Sequence, residues 1–149
     1  MTIRRLRCAH PDIAFSLNNL ASLYESQGRY SEAEPLYTKA LEMRKQLFRS
    51  AHSEIASSLN NLAYLYKSQG RYTEAEPLYT KALEMRKQLF GSAHSYIATS
   101  LNNLAALYKS QGRYREAEAQ QVDLKLRILL FPSHDRSPQL LLVSVSPQS

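Results

Sequence analysis

The sequence predicts an all-α fold: a right-handed solenoid of three helix-turn-helix pairs over residues 10–131, preceded by a short arm (1–9) and followed by an irregular tail (132–149). Three observations predict it. Residues 10–51 and 52–93 are near copies, differing at only seven of 42 positions (Pro11/Ser53, Asp12/Glu54, Phe15/Ser57, Ser22/Tyr64, Glu25/Lys67, Ser31/Thr73 and Arg49/Gly91), and a third copy (94–131) is faithful through about Glu118. Within each copy apolar residues recur at helical spacing, as in Ile13, Leu17, Leu20 and Tyr24. A glycine divides each copy, at Gly28, Gly70 and Gly112. A period of this length marks stacked supersecondary units, each burying its apolar face only against a neighbour.

The elements follow in order. The first helix of each unit is expected over 11–27, 53–69 and 95–111, with Ala14 and Ala21 beside the apolar stripe. Pro11 suits a first turn, where a missing N–H costs nothing, and Asp12 complements the positive end of the helix dipole. His10, His52 and His94 recur at the unit boundaries, too far apart to share a metal, so they are assigned capping and turn roles. The glycines sit where a helix C-cap needs a left-handed backbone. The second helices are expected over 31–48, 73–90 and 115–130, opened by the capping boxes Ser31-x-x-Glu34 and Thr73-x-x-Glu76. Arg115 lacks the hydroxyl, so the last helix is expected to start less sharply. Pro35 and Pro77 fall inside these helices, near enough to the N-terminus to be absorbed. Ala33, Leu36, Tyr37, Ala40, Leu41, Leu47 and Phe48 supply the buried face, and the short connectors make consecutive helices antiparallel neighbours.

The string Leu17, Leu20, Ala21, Tyr24, Gly28, Tyr30, Ala33, Tyr37 and Ala40 resembles the tetratricopeptide repeat signature. The run on through Glu42–Phe48, with Ser16-Leu17-Asn18-Asn19-Leu20-Ala21, is similar to the 42-residue repeats of kinesin light chains and of light-chain-like bacterial and cyanobacterial proteins. The resemblance covers about residues 10–118 well and 119–131 poorly. It implies a scaffold whose first helices line a concave groove that binds an extended peptide or protein segment, and the lack of a membrane span or signal pattern makes the cytoplasm its expected address. A motor-cargo role would need a coiled coil from elsewhere, since no heptad stretch is present.

Composition excludes several classes. One cysteine, Cys8, permits neither an internal disulfide framework nor a Cys-based zinc site. No stretch approaches the roughly 20 apolar residues of a membrane span, and no cleavable signal pattern opens the chain. Half of the net +6 charge is the arm's Arg4, Arg5 and Arg7, while the remaining cations are interspersed with acids, so nucleic acid is not the expected partner. No phosphate loop, nucleophile elbow or metal-spaced cluster is present, so neither catalysis nor a cofactor is expected.

The sharper feature is the repeated amide pair: Asn18-Asn19, Asn60-Asn61 and Asn102-Asn103. Asparagine is a mediocre helix former, so two in mid-helix suggest a position that needs an amide. The resemblance places these pairs in the groove with Ser22, Tyr64, Lys67 and Lys109, and implies that the second of each pair clasps a ligand backbone. A second reading has the amides bonding one another to hold the units in register, and the two are compatible. No cationic clamp stands at the early-helix positions, which argues against a chaperone C-terminal carboxylate as ligand. The start and the tail both lack a polar cap, so a fragment of a longer array is expected, with an apolar end face open to head-to-tail association.

Overall fold

The computed structural model describes residues 10–91 and 95–130. These form six helices: α1 (Pro11–Ser26), α2 (Tyr30–Leu47), α3 (Ser53–Ser68), α4 (Tyr72–Phe90), α5 (Ser95–Ser110) and α6 (Tyr114–Leu130). The arm with Cys8, the boundary residue His94 and the tail lie outside the described residues. Each helix packs against its sequence neighbours, giving an α-solenoid of three helix pairs. No described helix is long and apolar enough to cross a membrane.

The first helices begin as expected. Pro11 occupies the first turn of α1, and the His10 and His52 side chains accept hydrogen bonds from the Asp12 and Glu54 backbone N–H groups at 3.3 and 3.2 Å. Histidine thus supplies the N-cap acceptor that serine or aspartate commonly provides. At the other end Gly28 has φ 73°, its N–H donates to Glu25 O, and the Arg29 N–H reaches back to Tyr24 O at 2.9 Å. This Schellman closure recurs at Gly70 and Gly112 and satisfies carbonyls that a helix end leaves open.

The capping boxes do not form. The N-caps of α2 and α4 are Arg29 and Arg71, with no side-chain cap bond, so Ser31 and Thr73 lie within the first turn rather than ahead of it. The glycine turn before them sets the register, and α6 begins at the equivalent Tyr114 without a hydroxyl at Arg115. The expected looser start of the last helix is therefore absent. α2 and α4 run through Pro35 and Pro77, each losing one backbone bond while the helix around it is held by packing.

The apolar core sits at the junctions between units. One cluster joins Ala21, Ala33, Tyr37 and Leu41 of the first unit to Ile55, Leu59, Leu62 and Leu65 of the second. The other joins Ala75, Tyr79 and Leu83 to Ile97, Leu101, Leu104 and Leu107. Alanines 21, 33, 40, 63, 75 and 82 are fully buried, allowing close helix approach. Among the described residues no unit packs on the outer side of α1, and equivalent residues differ sharply in exposure: Ile13 48% against 4% for Ile55, and Leu23 52% against 0% for Leu65.

Candidate functional site

The amide pairs sit on the face where α1, α3 and α5 come alongside one another. Asn61 Nδ2 donates to Asn18 Oδ1 at 3.0 Å, and Asn103 Nδ2 donates to Asn60 Oδ1 at 2.7 Å. The second amide of one unit therefore bonds the first amide of the unit before it. This repeats at both junctions, 43 residues apart in sequence, as helices in the same register require. Asn19 and Asn102, at the two ends of the series, are exposed and make no such bond.

The ladder uses only part of each amide. A carboxamide carries two N–H donors and an oxygen with two lone pairs. Asn18 Nδ2 and Asn61 Oδ1 have no partner among the described residues, and neither do Asn60 Nδ2 and Asn103 Oδ1. Each rung thus retains a donor beside an acceptor, the complement of a peptide group. The half-buried setting restrains the amides and strengthens such bonds relative to open water.

The flanking residues differ from rung to rung. The first carries Ser22 and Glu25, the second Tyr64 and Lys67, and the third Ala106 and Lys109. Tyr64 is half exposed, with the Lys67 ammonium 6.0 Å from its ring centre, while Ser22 and Lys109 are exposed. Glu25 accepts a hydrogen bond from the Tyr37 hydroxyl at 2.7 Å, but its other carboxylate oxygen is buried without a partner. Burial pushes the Glu25 carboxyl above its ordinary value, and the Tyr37 bond offsets this only in part. Burial is likewise the main reason that the Tyr37 and Tyr79 phenols are pushed up, with the Glu25 charge adding to both.

Two further polar joints hold the units together, and the sequence analysis missed both. Glu34, read there as half of a capping box, instead reaches into the next unit. It accepts from Arg71 at 2.8 Å and from the Tyr66 hydroxyl at 3.1 Å, and Glu76 does the same with Arg113 and Tyr108. Arg71 also stacks on Tyr66, its guanidinium 4.1 Å from the ring centre, and bonds Glu74 and Gln69. The bonds to Glu74 and then Glu34 raise the Arg71 pKa further.

The second joint is a buried arginine. Arg44 bonds the Ser58 hydroxyl at 2.5 Å and pairs with the Glu54 carboxylate at 2.9 Å. Arg86 bonds Ser100 at 2.7 Å and lies 5.6 Å from the centre of the Tyr96 ring, which stands where Glu54 stood. Burial, with no carboxylate paired to it among the described residues, pulls the Arg86 pKa down. The signal was in the sequence: an arginine and a serine 14 residues apart in two successive copies.

Models of the tetratricopeptide repeat match residues 15–54 and 54–122, which together span the second unit and most of the first and third. The chain belongs to the tetratricopeptide repeat family. Among solved structures it is similar to a putative kinesin light chain from Podosopora anserina with nearly identical TPR-like repeats. That likeness has TM-score 0.72 and 24% identity, covering 89% of this chain and 62% of that one. It is also similar to BtubC (BKLC) from P. vanneervenii, with TM-score 0.57 and 21% identity, covering 99% and 78%. For the TPR domain of Arabidopsis FLU the values are 0.68 and 18%, covering 80% and 97%. No curated protein sequence matches the chain significantly. Tetratricopeptide repeats are in general protein-interaction scaffolds, and that coarse description holds for this fold.

Proposed function

We propose that the face carrying the amide ladder is a concave groove that binds an extended peptide or protein segment. One observation carries the reading most directly. Units one and two are near copies, yet two of their seven differences (Ser22/Tyr64 and Glu25/Lys67) fall at positions flanking the amides, while the amide pair is unchanged. Such a surface has a constant part suited to a feature every peptide shares and a variable part suited to side chains. The unused donor and acceptor at each rung supply the constant part.

Laddering and ligand binding are then one device. Each inter-amide bond holds its partners in one rotamer, so a ligand orders fewer side chains on arrival, which favours affinity. The rung set Asn18, Asn19, Asn60, Asn61, Asn102 and Asn103 contacts backbone, and Ser22, Tyr64, Lys67 and Lys109 meet side chains. With each bond worth about 1 kcal/mol net, and ordering of the segment opposing, affinity falls on the order of micromolar.

The test starts from segments captured from native extract by the folded protein, synthesised as peptides and titrated by calorimetry. Tyr64→Ala and Asn61→Ala are each expected to weaken binding about fivefold, the equivalent of one hydrogen bond, while Lys81→Ala on the outer helix α4 leaves it unchanged. Equal affinity for all four proteins contradicts the groove.

A further inference from the structure

We infer that the open face of α1 docks the α6 end of a second copy of this chain, head to tail. The inference is independent of the groove and rests on the contacts that recur at each internal junction.

Each internal junction uses two polar matches. The incoming unit's tyrosine and arginine grip a glutamate of the unit before, as Tyr66 and Arg71 grip Glu34 and as Tyr108 and Arg113 grip Glu76. The incoming unit's second amide meets the earlier unit's first, as Asn61 meets Asn18 and Asn103 meets Asn60. The first unit carries the incoming half of both matches without its complement. Tyr24, Arg29 and Asn19 occupy the positions of Tyr66, Arg71 and Asn61. Arg29 is already posed: it stacks on Tyr24 at 4.1 Å and bonds Gln27 and Glu32, reproducing every Arg71 contact except the one to Glu34.

The far end carries the opposite half. Glu118 and Asn102 stand where Glu76 and Asn60 stand, both exposed and both without a partner among the described residues. A second copy brings Arg29 and Tyr24 to Glu118, and Asn19 to Asn102. The apolar surfaces agree with this pairing. Ile13, Leu20 and Leu23 are exposed on α1, whereas their counterparts Ile55, Leu62 and Leu65 are buried by a preceding unit. At the α6 end Tyr114 is exposed, whereas its counterpart Tyr72 packs into a core cluster.

The match is not a full copy of an internal junction. Gln120 and Gln121 replace Leu78 and Tyr79, which removes apolar contact. The contact is therefore reversible and concentration-dependent. Because the two faces differ, it is heterologous and builds an open chain of copies rather than a closed dimer.

Sedimentation velocity over a dilution series from micromolar to millimolar tests this on the full chain. Wild type is expected to gain mass with concentration. Arg29→Glu and Glu118→Arg each place like charges at the joint and are expected to weaken association at least roughly tenfold. An equimolar mixture of the two variants restores opposite charges and regains wild-type assembly. Glu118 is exposed and makes no hydrogen bond or ion pair among the described residues, so Glu118→Arg leaves the fold intact, and circular dichroism checks both variants. A wild type that stays monomeric throughout, variants that assemble like wild type, or a mixture that stays monomeric overturns the inference.

Discussion

The first and second helix pairs compare two nearly identical sequences in different surroundings. Ile13, Leu20 and Leu23 of α1 are exposed, while Ile55, Leu62 and Leu65 of α3 form the core of a junction. The local structure is the same in both: a histidine N-cap, a helix of 16 residues and a glycine-closed turn. Helix formation is therefore written within the unit, whereas burial is conferred by the unit before it. The same side chain contributes to stability in one pair and exposes an apolar face in the other.

This difference can be broken by identical substitutions at equivalent positions. Leu65→Ala empties a fully buried site and is expected to cost about 2–5 kcal/mol. Leu23→Ala removes an exposed side chain and is expected to change stability by about 0.5 kcal/mol or less. Urea unfolding followed by circular dichroism measures both. Similar losses would mean that α1 is covered in solution, and repeating the measurement at high concentration shows whether a second copy covers it.

A smaller effect sharpens the comparison at Glu25, where the second unit has Lys67. Burial raises the Glu25 carboxyl above its ordinary value of 4.5, so the folded chain holds that proton more readily than the unfolded chain. Its contribution to stability accordingly falls as pH rises through the carboxylate range, and is recovered as pH drops below the raised value. Glu25→Gln, which can still accept from Tyr37, is expected to raise the melting temperature at neutral pH. The advantage shrinks toward pH 4.5 and below. Glu32, Glu74 and Glu116 act with the opposite sign, since Arg29, Arg71 and Arg113 hold their carboxyls low. The difference between variant and wild type isolates Glu25 from that background.

The fold was legible because its determinants are local and repeated: the period, the apolar stripe, the glycine at the turn and the histidine at the boundary. Every helix boundary predicted from them lies within one residue of the observed one. The joints were less legible. Glu34 lies three residues after Ser31, so it read as a local cap, while its partner Arg71 is 37 residues away. Nothing in a single unit distinguishes a glutamate that bonds its own helix from one that bonds the next. Arg44 and Arg86 were hidden for the same reason, as cations buried only where units meet. The amides were found from their repetition, but the direction of the ladder, from the second amide to the first of the unit before, needed the register between units.

The proposed groove requires that ligand meet the amide-bearing helices α1, α3 and α5 and not their partners α2, α4 and α6. A photo-reactive benzophenone amino acid in place of Tyr64 on α3, and in separate protein in place of Lys81 on α4, tests it directly with a captured segment synthesised as a peptide. Binding in the groove gives a crosslinked product from position 64 and none from position 81. A product from position 81 without one from position 64 would contradict it.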